Sequence, residues 1–245
     1  MLNAFIFGLV ATSSLIFGGL LGLLFPIGKR TLGIIMAFGA GVLISAVAYE
    51  LIFEAVKIAE GSGITVLGVM VGAFTFFFSD MLIGRIGGSD RKTIDASLQS
   101  RLVVPIVLAI ILDGIPESTV IGLGLLEDGN VSLAMLVAVF ISNLPEAVAG
   151  TAGMRSGAWS PKKILLLWLV IAVICALASP IGYVLVGNAS ELWVAFIEAF
   201  AAGAILMMLA NTMMPEAYAH GGKLAGIFTV LGFVVSVGVV LLERA

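Results

Sequence analysis

Charge is what this sequence has least of. Of its 245 residues only 11% are Asp, Glu, Lys or Arg, whereas 61% are hydrophobic. The mean hydropathy is +1.22. A water-soluble domain is not built at that ratio, and the chain reads as an all-α polytopic membrane protein. Cysteine occurs once, at Cys175 inside an apolar run, so no internal disulfide can form and nothing points to redox chemistry. Histidine also occurs once, at His220, which excludes a His-rich metal site. There is no basic tract of the kind that binds nucleic acid, and no separate soluble domain. The net charge of −3 says less than where the charges lie.

The apolar runs divide into eight expected spans, roughly 3–25, 31–55, 62–83, 102–126, 131–153, 162–187, 190–219 and 222–242. Residues 1–245 read as one membrane domain. The amino terminus has no basic region ahead of its apolar run and reads as a first span, not a cleaved signal. Lys29, Arg30, Arg85, Arg91, Lys92, Arg101, Arg155, Lys162, Lys163 and Lys223 fall on one side of that arrangement, and only Lys57 and Arg244 on the other. The basic side is cytoplasmic by the positive-inside rule, so both termini face outside. Segment 84–101 is then a cytoplasmic loop between spans three and four, polar and mixed in charge. The 30 glycines suit close helix packing, and Gly68-x-x-x-Gly72 has the spacing that permits it.

The chemistry concentrates in two related stretches, Ile111-Leu-Asp-Gly-Ile-Pro-Glu117 and Ile141-Ser-Asn-Leu-Pro-Glu146. Each places Pro-Glu deep inside an apolar segment, with a polar residue four before the Glu: Asp113 and Ser142. Residues four apart share one helix face, one turn apart. Proline inside a helix also leaves the carbonyl four residues back without its donor, here Leu112 and Ile141. Each stretch therefore offers a carboxylate, a second polar side chain and a freed backbone oxygen near mid-bilayer. Ionisable groups at that depth mark ion or substrate pathways. Two buried carboxylates repel unless a cation or protons hold them, and several oxygen ligands suit a divalent cation.

The chain also repeats. Phe38 to Ala55 matches Phe200 to Ala217 at a constant offset, 216 − 54 = 162, with Phe38, Ala40, Gly41, Ala48, Glu54 and Ala55 identical to their partners. One copy is span two and the other span seven, which run in opposite directions, so the repeat is inverted, in the order 3+2+3. Inverted repeats with broken helices at the midplane are a transporter's architecture. The repeat sets Glu54 at the outer end of span two, with Glu50 one turn deeper, and Glu216 at the inner end of span seven. These three are candidate entry and exit residues. Asp80, Glu127, Asp128 and Glu191 read as boundary charges and His220 as a loop residue.

With these residues in view the chain resembles the ZIP (Zrt/Irt-like) divalent-metal transporters. The likeness runs over nearly the whole chain and is sharpest at the two Pro-Glu stretches and at Ala202-Gly203 to Pro215-Glu216-Ala217. In that family, span four carries His-Asn-x-Pro-Glu-Gly and span five a related polar-polar-x-Pro-Glu-Gly, and these residues hold one or two metal ions. Asp113 stands in the His place, Gly114 in the Asn place, and Glu117 at the family glutamate. Ser142 and Asn143 take the polar pair, and Glu146 the second glutamate. Ser118 and Ala147 replace the two glycines. The resemblance implies a homodimer in which a bundle including spans four and five moves against a scaffold including spans two and seven.

What remains is one metal site of Asp113, Glu117, Ser142 and Glu146 with Asn143 alongside, all oxygen. Zinc prefers nitrogen and sulfur, whereas manganese, iron(II) and magnesium accept oxygen sets. The reading leaves open a harder metal, weakly held zinc, or proton coupling through Asp113. The expected function is alternating-access transport of a divalent metal such as Zn, Mn or Fe(II), with no organic cofactor, in a prokaryotic-type plasma (inner) membrane. Two other classes compete. An intramembrane enzyme would need a set of aspartates with an arginine for lipid-head transfer, or a second membrane aspartate for proteolysis. A non-transporting metal sensor would need a signalling domain. Neither set is present, so the chain is expected not to be an enzyme.

Overall fold

The computed structural model describes residues 1–85, 103–127, 132–187 and 189–243. Most of the expected loop 84–101, and the boundary residues Asp128 and Arg244, lie outside them. The described residues are helical and contain no strand. In order they form α1 (Leu2–Leu24), α2 (Lys29–Ile58), α3 (Ile64–Arg85), α4 (Val103–Glu127), α5 (Leu133–Ser156), α6 (Pro161–Val186), α7 (Glu191–Gly221) and α8 (Lys223–Glu243). Among the described residues, seven of these, all but α4, are long and apolar enough to cross a membrane. The segment expected as the fourth span is a helix of 25 residues with Pro116 inside it.

Local chemistry explains the breaks. α1 ends where Pro26 forces Phe25 into an extended conformation (φ −124°, ψ 137°). Ser132 caps α5 by accepting a hydrogen bond from the Met135 amide at 3.2 Å. The carboxylate of Glu243, at the far end of α8, also accepts from the Leu133 amide and so ties α8 to the start of α5. α7 turns into α8 at Gly222, whose φ of +60° favours glycine. α6 is interrupted at Leu177, because Pro180 has no amide hydrogen to give the Ala176 carbonyl.

α2 and α7 each contain a π-helical stretch, Val47–Ile52 and Leu209–Met213. Their first residues differ by 209 − 47 = 162, the offset of the sequence repeat. A π turn inserts one extra residue and is found mostly at functional positions.

The helices pack in two sets. α2 lies against α8 and α3 against α7, while α1 holds α5 and α6, and α6 holds α4. Both contacts of the first set rest on glycine at close approach. A Cβ on Gly41 would collide with the Thr229 carbonyl of α8, and one on Gly232 with the Phe38 carbonyl of α2. Likewise a Cβ on Gly203 would collide with the Val69 carbonyl of α3, and one on Gly72 with the Phe200 carbonyl of α7. Phe38 and Phe200, and Gly41 and Gly203, are partners in the repeat. Gly68 completes the expected small-residue seam by seating against Ala199 and the Phe196 carbonyl. α2, α5 and α7 are the most buried helices, and α3 and α8 present broad apolar faces outward.

Candidate metal site

α4 and α5 meet at Glu117. Ser142 Oγ donates to Glu117 Oε1 at 3.2 Å, and Asn143 Nδ2 donates to Glu117 Oε2 at 2.8 Å. The Asn143 amide gives its second hydrogen to the Val139 carbonyl at 2.9 Å, and the single Ser142 hydroxyl hydrogen is shared between Glu117 and that same carbonyl, 3.0 Å away. One α5 backbone oxygen thus sets the rotamers of two side chains that grip a carboxylate on α4. The five residues expected to form a site, Asp113, Glu117, Ser142, Asn143 and Glu146, are all at most 3% exposed. A carboxylate out of water costs several kcal/mol unless it is paired or hydrogen-bonded. A hydrogen bond to a charged group contributes about 1.5–3 kcal/mol, so Ser142 and Asn143 offset much of that cost for Glu117.

Packing brings a further residue to this place. Gly114, one residue after Asp113, faces α6 across a gap filled by Cys175. A Cβ on Gly114 would stand 2.6 Å from the Cys175 Sγ. Cys175 is fully buried. The α4–α6 contact continues one and two turns along. A Cβ on Gly122 would collide with the Ser179 carbonyl, and one on Gly182 with the Thr119 carbonyl. Among the described residues no three His, Cys, Asp or Glu side chains converge closely enough to hold an ion in this conformation. All five expected residues are buried, and Glu117 is engaged by Ser142 and Asn143.

The candidate entry and exit residues lie elsewhere. Glu50 sits in the π stretch of α2 and is half-buried. Glu54 pairs with the largely exposed Lys57 at 3.2 Å, its own side chain 26% exposed. Glu216 sits 3.0 Å from His220 Nε2, one turn on along α7, with its side chain 20% exposed. His220 is thus not the loop residue expected from the sequence: it lies in the last helical turn of α7, with a carboxylate neighbour one turn back.

Two residues escaped the sequence reading. One is Cys175, which the sequence shows only as a lone cysteine inside an apolar run. The other is Glu198, which is 1% exposed in α7. Its signal was visible, since it is an acidic residue seven positions inside an apolar span, where ionisable groups are costly and functional by default.

No family model matches the chain. It is 25% identical over 191 residues to an Arabidopsis thaliana protein named "Putative zinc transporter". The match covers 76% of this chain and 30% of that protein, so the chain spans less than a third of that relative's length. The helical architecture and the seven membrane-length helices among the described residues are, with this distant likeness, consistent with metal transport across a membrane.

Proposed function

We propose that this chain carries a divalent metal ion across a membrane by alternating access, with the ion bound between α4 and α5 in the manner of the ZIP transporters it resembles. The observation that carries the reading is the buried meeting of two Pro-Glu helices, where Ser142 and Asn143 of α5 hold Glu117 of α4. In this reading α4 is the eighth span, and its polar residues are the reason it exists. Metal and amide compete for the same carboxylate. An arriving cation takes Glu117 from its donors, and Asn143 turns its amide oxygen toward the ion. Asp113, Glu146 and the carbonyls of Leu112 and Ile141 supply further oxygen.

The two packing sets support motion of α1, α4, α5 and α6 against α2, α3, α7 and α8. The π stretches and the matching glycine contacts at offset 162 support two inverted halves. Such halves offer two equivalent arrangements around one midplane site. Glu50 and Glu54 then serve one mouth and Glu216 the other. A homodimer rests on the family resemblance alone.

The test is uptake of zinc, manganese and iron(II) into vesicles carrying the purified protein. Replacing both Glu117 and Glu146 by Gln keeps shape and removes both charges. Uptake should fall to background, and a double variant that transports at the native rate would place the ion elsewhere.

A further inference from the structure

Oxygen donors alone suit a hard cation, yet the distant relative carries zinc in its name. The α4–α6 contact supplies what the oxygen set lacks. Position 114 has no side chain, and the space beside it holds the sulfur of Cys175, reached from a helix some sixty residues along the chain. We propose that Cys175 is the soft donor of the metal site, so that the transported ion is a thiophilic divalent cation such as zinc or cadmium in preference to manganese or magnesium. The inference rests on the transport reading above and narrows its substrate class.

Three observations carry it. The Cys175 sulfur fills the space beside Gly114, 2.6 Å from where a Cβ would stand, on the turn of α4 that carries Asp113 and Glu117. It also sits two residues before the break in α6 at Leu177, where Pro180 leaves the Ala176 carbonyl without its helical donor. Third, Ser118 lies on the same stripe of α4 as Gly114 and Gly122, at i+4 between them, and that stripe faces α6. Ser118 is fully buried, and its hydroxyl makes no hydrogen bond. A buried hydroxyl without a partner is unfavourable, which favours a ligand or water arriving at this seam. Thiolate and carboxylates together would make a mixed set of the kind zinc accepts. Because no three of these groups converge in the present conformation, the set closes only around the ion.

The chain holds a single cysteine, so a thiolate signal from bound metal has one source. Purified native protein titrated with cadmium should develop the ultraviolet thiolate-to-cadmium charge-transfer band, and its absence at saturating cadmium would overturn the proposal without any variant. Cys175→Ser replaces sulfur by oxygen at nearly the same size. In vesicles it should lower the zinc-to-manganese uptake ratio on the order of ten- to a hundredfold. An unchanged ratio overturns the proposal. Gly114→Ala tests the same point with the cysteine retained. The new Cβ displaces only the end of a small side chain, and it should weaken the cadmium band and shift the ratio in the same direction. Native protein that takes up manganese and zinc but shows no cadmium band sinks this inference alone. Native protein that takes up no divalent metal sinks the transport reading beneath it as well.

Discussion

Asn143→Asp is the sharpest probe of the α4–α5 junction, because it exchanges one donor for a charge and changes almost nothing in shape. In the native protein Asn143 Nδ2 donates to Glu117 Oε2 over 2.8 Å. The substitution removes that charge-assisted bond, itself about 1.5–3 kcal/mol, and sets two carboxylates face to face. Two like charges about 4 Å apart repel by about 4 kcal/mol at an effective dielectric of about 20. Lost bond and repulsion together destabilise the metal-free protein by about 6 kcal/mol. A bound divalent cation reverses the sign, since it draws on both carboxylates. The assay is thermal unfolding of the detergent-solubilised protein followed by far-ultraviolet circular dichroism, in chelator and in excess metal. The variant should unfold well below the native protein in chelator and recover most of the difference in metal. Asn143→Ala loses the bond without adding charge and should show a smaller loss with no extra rescue. If Asn143→Asp unfolds together with the native protein in chelator, Glu117 does not carry its charge against position 143, and the competition between amide and metal has no basis.

Asp113→His removes a negative charge and offers an imidazole, so competitive uptake should shift toward zinc relative to manganese; an unchanged ratio would mean that Asp113 does not touch the ion. Glu54→Ala and Glu216→Ala should each change the uptake rate while leaving equilibrium metal affinity nearly intact, because both side chains lie partly exposed beside Lys57 and His220. A loss of affinity as large as that from Glu117→Ala would move them into the central site. Gly203→Ala forces a Cβ against the Val69 carbonyl of α3 and should destabilise the α3–α7 contact by about 1–3 kcal/mol, read as a lower unfolding temperature. Gly226→Ala, with open space around its Cβ position, serves as the control and should not.

Much of this molecule was determined along the chain. Sixty-one per cent hydrophobic residues broken by Pro26, Ser132 and Gly222 leave few options besides long apolar helices, because a backbone in lipid must satisfy its own hydrogen bonds. The pairing of Asp113 with Glu117, and of Ser142 with Glu146, is a matter of helical period and needs no tertiary knowledge. Gly68 and Gly72 announced a close contact by their spacing alone, though not that α7 would be the partner. What the fold alone decided is which faces meet. Hydropathy does not distinguish the side of α6 that carries Cys175 from any other side of an apolar helix, so its place beside Gly114 follows only from how α6 packs on α4. The π stretches at Val47 and Leu209 were equally hidden, since one inserted residue leaves an apolar run apolar while turning every later side chain by about 100°. Burial separated Glu198 from Glu191, and the hydrogen bonds of Ser142 and Asn143 settled that Glu117 is held across the helix junction in this conformation. Composition and period act locally and can be read along one dimension, whereas the approach of Cys175 to Gly114 depends on the packing of all the helices together.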